Sequence, residues 1–359
     1  MSKVFTGRYF EDFRIGQQLV HAVPRTLHGG DISSYFALTG DRHPLASSTE
    51  LARSLGFQRE VFPDLLVFHI VFGKSVADIS HNATANLGYA DVRFLRPVYP
   101  GDTLVAESEV IGLREVSSGE AGVVYVRTRG TNQKGQEVLS FVRWVMIPKR
   151  DKEQAKGVNN VPTLPAVVTP DRLPVPDAMN LQRFDDLAWA MPPGARWDDY
   201  EMGERLDHPD AMTIEEADHM QATRLYHNSA QVHFDQQTMA HSRFGKRLVY
   251  GGHVISVAVA LSQNGLGTAL RIAAWNGGAH VGPTFAGDTL RAFTEIVEKA
   301  EVPGRKDVGA LRLRLSAVKN TAAADLPAVK PLLSGTKEPR IVLELDYWAL
   351  LPRARAPKG

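Results

Sequence analysis

Apolar residues cluster twice in this chain in a way that only enclosed helices explain. Residues 65–72 and 254–261 are apolar nearly all round, the first stretch being broken by His69. They predict two helices packed on several sides, over residues 65–79 and 252–262. After each, the pattern changes to β-branched and aromatic runs closed by Gly-Asp or Lys-Gly turns. Residues 91–96, 103–110, 122–129 and 138–147 read as strands in the first half, and 289–297, 310–318 and 341–351 in the second. A more polar helix precedes each buried one. It covers 31–38 in the first half and starts at Thr213 in the second, where Glu216 completes a capping-box pattern. Helices first and several strands afterwards imply an α+β fold, an antiparallel sheet covering one long helix in each half.

The halves also match residue by residue. Tyr9-Phe-Glu-Asp-Phe-Arg-Ile-Gly16 returns as Arg196-Trp-Asp-Asp-Tyr-Glu-Met-Gly203, an offset of 187 residues (203 less 16). Asp31 and Asp218, Leu38 and Leu225, and Phe57 and Phe244 keep that offset. Gly101-Asp-Thr-Leu104 returns as Gly287-Asp-Thr-Leu290, and Trp144-x3-Pro148 as Trp348-x3-Pro352. The chain is a tandem duplication, with residues 1–150 as the first repeat and 196–359 as the second. The second is longer, and its 319–340 stretch, rich in Ala, Pro, Lys and Gly, reads as a lengthened loop between strands. Residues 151–195 carry prolines at 162, 165, 170, 174, 176, 192 and 193, which bars a central strand or a helix interior. With Leu164, Val167, Val168, Leu173, Val175 and Met179 interspersed, this linker is expected to lie as a strap across both repeats.

Composition removes several functions. Lys+Arg 41 against Asp+Glu 40 leaves a formal net charge of +1, with no basic block for nucleic acid or an anionic membrane. Zero cysteines exclude disulfides, thiolate nucleophiles, iron–sulfur clusters and thiolate zinc sites. No apolar run approaches the ~20 residues that span a bilayer. The first residues lack the apolar core of a signal peptide, so a cytoplasmic location is expected. No Gly-rich phosphate loop is present, and no His/Asp/Glu set has ligand spacing, so neither a nucleotide cofactor nor a metal is expected.

The polar loop before each buried helix resembles the hydratase motif of MaoC-like and (R)-specific enoyl-CoA hydratases, in which an Asp and a His five residues later hold a water. In the first repeat it stands as Asp41-Arg-His43-Pro44-Leu45-Ala46. In the second it stands as Asn228-Ser-Ala-Gln-Val-His233-Phe-Asp235, followed by Tyr250-Gly251-Gly252. The resemblance covers both repeats and implies a tandem, or double, hot-dog fold with a sheet wrapped around a central helix in each. Length, linker and the opening Gly-Arg-Tyr-Phe-Glu-Asp-Phe are most similar to the bacterial mesaconyl-CoA hydratases, also called β-methylmalyl-CoA dehydratases. The implied activity is reversible hydration of an enoyl-CoA thioester, with acyl-CoA as the small-molecule partner. A thioesterase or a non-catalytic acyl-CoA-binding protein of the same fold is the alternative. Two fused repeats can supply the pairing that single domains find by dimerising, so a homo-oligomer is compatible but not required.

Neither motif is complete: the first repeat has Ala46 at the His position, and the second has Asn228 at the Asp position. The retained imidazole favours the second repeat as the active one. His233 is then the acid–base group, Asn228 orients the water, and free helix N–H groups at Gly251 and Gly252 polarise the thioester oxygen. Asp41 either caps a local turn or marks a runner-up site in the first repeat. Arg224 and Arg243 are candidates for gripping a substrate carboxylate or the CoA moiety.

Overall fold

A single antiparallel sheet runs through both repeats of the computed structural model, which describes residues 3–153, 157–187, 189–191, 194–322, 325 and 338–354. The first repeat supplies β1 (Gln18–Thr26), β2 (Ala85–Phe94), β3 (Thr103–Glu115), β4 (Ala121–Thr131) and β5 (Glu137–Pro148). A two-residue β6 (Asn159–Asn160) from the linker pairs with β3. The second repeat supplies β7 (Arg205–Asp207), β8 (Met212–Thr213), β9 (Arg271–His280), β10 (Thr289–Glu301), β11 (Val308–Lys319) and β12 (Ile341–Pro352). The order is β1-β3-β4-β5-β2-β9-β12-β11-β10-β7. The repeats therefore meet at β2 and β9, with Tyr89 opposite Gly278 and Val92 opposite Trp275.

Two of the long strands escape the pattern reading, along with the short β6, β7 and β8. β1 is an edge strand that exposes Val20 and Val23, so its apolar residues do not alternate toward the core. β9 carries Asn276-Gly-Gly278, which weakens its strand signal, yet β2 and β12 hold it on both sides.

The helices are α1 (Gly29–Thr39), α2 (Pro44–Ser47), α3 (Thr49–Ser54), α4 (Asp64–Ser75), α5 (Glu216–Leu225), α6 (Gln236–Ala240) and α7 (Gly251–Leu266). Every residue of α4 is buried, and a π-helical turn at Val76–Ser80 extends it. The two central helices touch where His69 Nε2 and Ser256 Oγ share a 2.8 Å hydrogen bond. The expected capping box does not form. Thr213 lies in β8, its hydroxyl 2.8 Å from that of Thr289, and α5 starts only at Glu216 after Glu215. Pairing with β10 competes for Thr213 and wins, because strand bonds satisfy more backbone groups than one cap does.

The linker buries Val168, Leu173, Met179, Leu181 and Phe184 against α3 and the outer face of the second repeat. Trp348 Nε1 donates to the Val168 carbonyl (2.9 Å), and Asn180 N to that of Leu55 (2.9 Å). Most of the lengthened loop expected at 319–340 lies outside the described residues. Among the described residues no helix is long and apolar enough to cross a membrane.

Candidate active site

The loop between α5 and α7 is folded by its own polar residues. His227 adopts φ 57, which turns the chain back at the end of α5. Asn228 Oδ1 then accepts from the N–H of Ala230 (2.9 Å), an Asx turn that fixes the side chain. A short 3-10 turn, Gln231–His233, follows. The N–H of Leu248 donates to the Val232 carbonyl (3.1 Å), and His233 Nδ1 donates to the Leu248 carbonyl (2.9 Å). That second bond leaves Nε2 as the unprotonated, basic nitrogen of a neutral imidazole. Asp235 is spent on structure: its carboxylate caps α6 by accepting from the N–H and hydroxyl of Thr238 (2.9 and 2.6 Å).

The first repeat forms the other wall. A Cβ on Gly73 in α4 would sit 1.8 Å from the Tyr226 carbonyl oxygen, so only glycine lets the loop rest on that helix. The result is a cavity of about 330 Å³ between the repeats. Asn228, His233, Tyr250, Gly251 and His280 line it from the second repeat, and Phe72, Tyr89 and Arg143 from the first. At the start of α7 the N–H groups of Gly251 and Gly252 have no intrahelical acceptor. A side chain there would force a neighbouring ring to move: a Cβ at Gly251 would meet the His280 ring at 2.5 Å, and one at Gly252 the Tyr250 ring at 2.4 Å.

Of the residues expected from sequence, His233, Asn228, Gly251 and Arg243 converge on this cavity, Arg243 from an exposed position. Gly252 lies one step along α7, facing Tyr250 and His69. Arg224 is exposed on the last turn of α5 and does not line the cavity. Asp41 occupies a separate cavity of about 40 Å³. There it repeats the Asx turn of Asn228, accepting from the N–H of His43 (3.0 Å) and also from the amide of Gln263. Asp64 stands at the repeat position of Gly251 (251 less 64 is 187). Its carboxylate pairs with Arg271 at 2.7 Å and accepts from the N–H of Ile272 (3.1 Å). A carboxylate at the position of Gly251, with Ala46 at that of His233, leaves this smaller cavity without the groups found in the larger one.

Sequence reasoning missed Arg143, Tyr89, Tyr250 and His280. Arg143 carried a signal, a lone cation inside the apolar 138–147 run, and Tyr250 directly precedes the glycine pair. Tyr89 and His280 carried none; their hydroxyl and Nε2 lie 3.3 Å apart only because β2 pairs with β9. Among the described residues no group of three His, Cys, Asp or Glu could hold a metal ion.

Burial governs the titration of these groups. It pushes His43, His233 and His280 down to about 4, His253 to about 3, and His69 well below its ordinary range. The unfolded chain, with imidazoles near 6.5, binds more protons than the fold between about pH 4 and 6.5. The stability these five contribute is thus present above pH 6.5 and is lost as pH falls toward 4. Asp41 and Asp64, pushed up to about 6 by burial, act in the opposite sense between about pH 4 and 6. Two acids oppose five imidazoles, so thermal melts should give a Tm that falls from pH 7 to pH 5. A Tm that holds or rises over that range would contradict neutral buried imidazoles.

Comparison with known proteins adds an independent line. The family profile described as mesaconyl-CoA hydratase matches residues 3–341. The chain is 51% identical to a β-methylmalyl-CoA dehydratase of Chloroflexus aurantiacus, over 98% of this chain and 99% of that one. It is 52% identical to a mesaconyl-CoA hydratase of Cereibacter sphaeroides, over 98% and 100%. A solved Chloroflexus aurantiacus structure, described as a putative MaoC domain protein dehydratase, superposes with TM-score 0.93 at 50% identity, covering 99% of this chain and all of that one. A Mycobacterium tuberculosis protein described as a double hotdog fold superposes with TM-score 0.78 at 27% identity, covering 97% and 99%.

Proposed function

The chain belongs to the mesaconyl-CoA hydratase family, and on that premise we propose how its cavity carries out the reversible hydration of mesaconyl-CoA to β-methylmalyl-CoA. The observation that carries the proposal is the convergence of an unprotonated His233 Nε2, the Asn228 amide and the open start of α7 on one cavity. A water between Asn228 and His233 gives a proton to Nε2 as its oxygen bonds to the β-carbon of the enoyl thioester. The π-electron pair moves toward the thioester oxygen, where the N–H groups of Gly251 and Gly252 meet the developing charge. The imidazolium returns its proton to the α-carbon, so one water is added overall and His233 ends as it began. Dehydration runs the same steps backwards.

The alkene is already activated by its thioester, so the reading needs no metal or organic cofactor, and it carries with it a cytoplasmic location. In this reading Arg243, which lines the cavity from an exposed position 4.5 Å from the Phe244 ring centroid, grips the CoA moiety. The alternatives, a thioesterase or a non-catalytic binder, find no support among the relatives. Incubation with mesaconyl-CoA should bleach the enoyl-thioester absorbance without releasing free CoA. Thiol released at the same rate would instead establish a thioesterase, and the chain's own lack of cysteine keeps that measurement clean.

A further inference from the structure

Two arginines are buried among the described residues, and they are treated differently. Arg271 has Asp64 beside it at 2.7 Å. Arg143, fully buried on β5, has no carboxylate partner among the described residues. Its Nη1 donates to Ser80 Oγ (3.2 Å) and its Nη2 to Ser75 Oγ (2.9 Å). The Phe72 ring lies under the guanidinium at 4.3 Å, and Nε has no partner. Two hydroxyls and a ring face hold the group in place without neutralising it. Burial lowers its pKa to about 10, which still leaves it charged at neutral pH. Buried charges are ordinarily paired, because an unpaired one loses its hydration with nothing in return.

Arg143 also lines the cavity that holds His233. A dicarboxylic acyl thioester brings to that cavity one anion besides its CoA phosphates, the free carboxylate on the β-carbon. We propose that Arg143 is the specificity-determining residue that binds this carboxylate, so that the first repeat selects the acyl group on which the second repeat acts. The inference rests on the hydratase reading above for the identity of the acyl group. Ser75 and Ser80 aim the fork, the hydrogen-bonding capacity left on the guanidinium suits a planar carboxylate, and the missing counter-ion arrives with the substrate.

The test compares mesaconyl-CoA with 2-methylcrotonyl-CoA, which carries a methyl group where mesaconyl-CoA carries its carboxylate. For Arg143→Gln, kcat/KM on mesaconyl-CoA is expected to fall by on the order of 10²–10³, the loss typical of a buried charged contact. On 2-methylcrotonyl-CoA it is expected to stay within a few-fold. Equal losses on both substrates would overturn the assignment. Calorimetry on the unaltered protein with the saturated methylsuccinyl-CoA and 2-methylbutyryl-CoA supplies a second arm that does not depend on the variant folding. The dicarboxylic ester should bind at least tenfold tighter, and equal affinity overturns the proposal. Preferential binding without any hydration would keep carboxylate recognition by this cavity and sink the hydratase reading instead.

Discussion

Replacing His233 with alanine should lower kcat on mesaconyl-CoA by about 10²-fold or more, while the affinity for a saturated acyl-CoA changes little. General acid–base groups contribute roughly 10²–10⁴. An imidazole held near pKa 4 is a weak base, which argues for the lower end of that range. The same pKa places the acid limb of kcat/KM near pH 4 rather than near 6.5, since that profile reports the free enzyme. Asp41→Asn keeps the Asx turn to His43 and should leave turnover within a few-fold. Were Asp41→Asn to abolish turnover while His233→Ala did not, the first repeat's cavity would be the active one. A purely structural His233 would reveal itself by a lower Tm with kcat unchanged.

Truncating Arg271 to methionine should cost about 3–5 kcal/mol of folding stability, because it leaves the Asp64 carboxylate buried without its partner. Both side chains are nearly inaccessible, and among the described residues the carboxylate's other hydrogen bond comes from the N–H of Ile272. The double variant Asp64→Leu with Arg271→Met should recover most of that loss, since well-packed apolar replacements of a buried pair are often neutral. Denaturant unfolding of both variants and the parent provides the cycle. The deficit of Arg271→Met should also shrink as pH falls to about 6 and below, where Asp64 of the parent is itself protonated in the fold. A deficit under 1 kcal/mol would mean that water reaches Asp64 and that the first repeat's cavity is less closed than its 40 Å³ suggests.

Much of this is legible in the amino-acid sequence alone. Apolar runs without a polar face located both central helices, since only an enclosed helix can carry one, and the matched Gly16 and Gly203 exposed the duplication. The loop residues Asn228 and His233 were readable because the i, i+5 spacing is local, and a local turn fixes where both side chains go. The reading failed where distant partners compete. Thr213 looked like a helix cap until β10 paired with it, and 271–280 drew no strand reading although β2 and β12 hold it as β9.

By itself the sequence determined that there are two repeats, that each wraps a sheet around a buried helix, and which loop could carry an imidazole and an amide. Only the tertiary structure decided which loop opens on a sizeable cavity, and that Arg143 and Tyr89 of one repeat line that cavity beside His233 of the other. The reason is register. The β2–β9 pairing and the close approach at Gly73 join residues far apart in the chain, and no local propensity encodes a contact made only when both halves have folded.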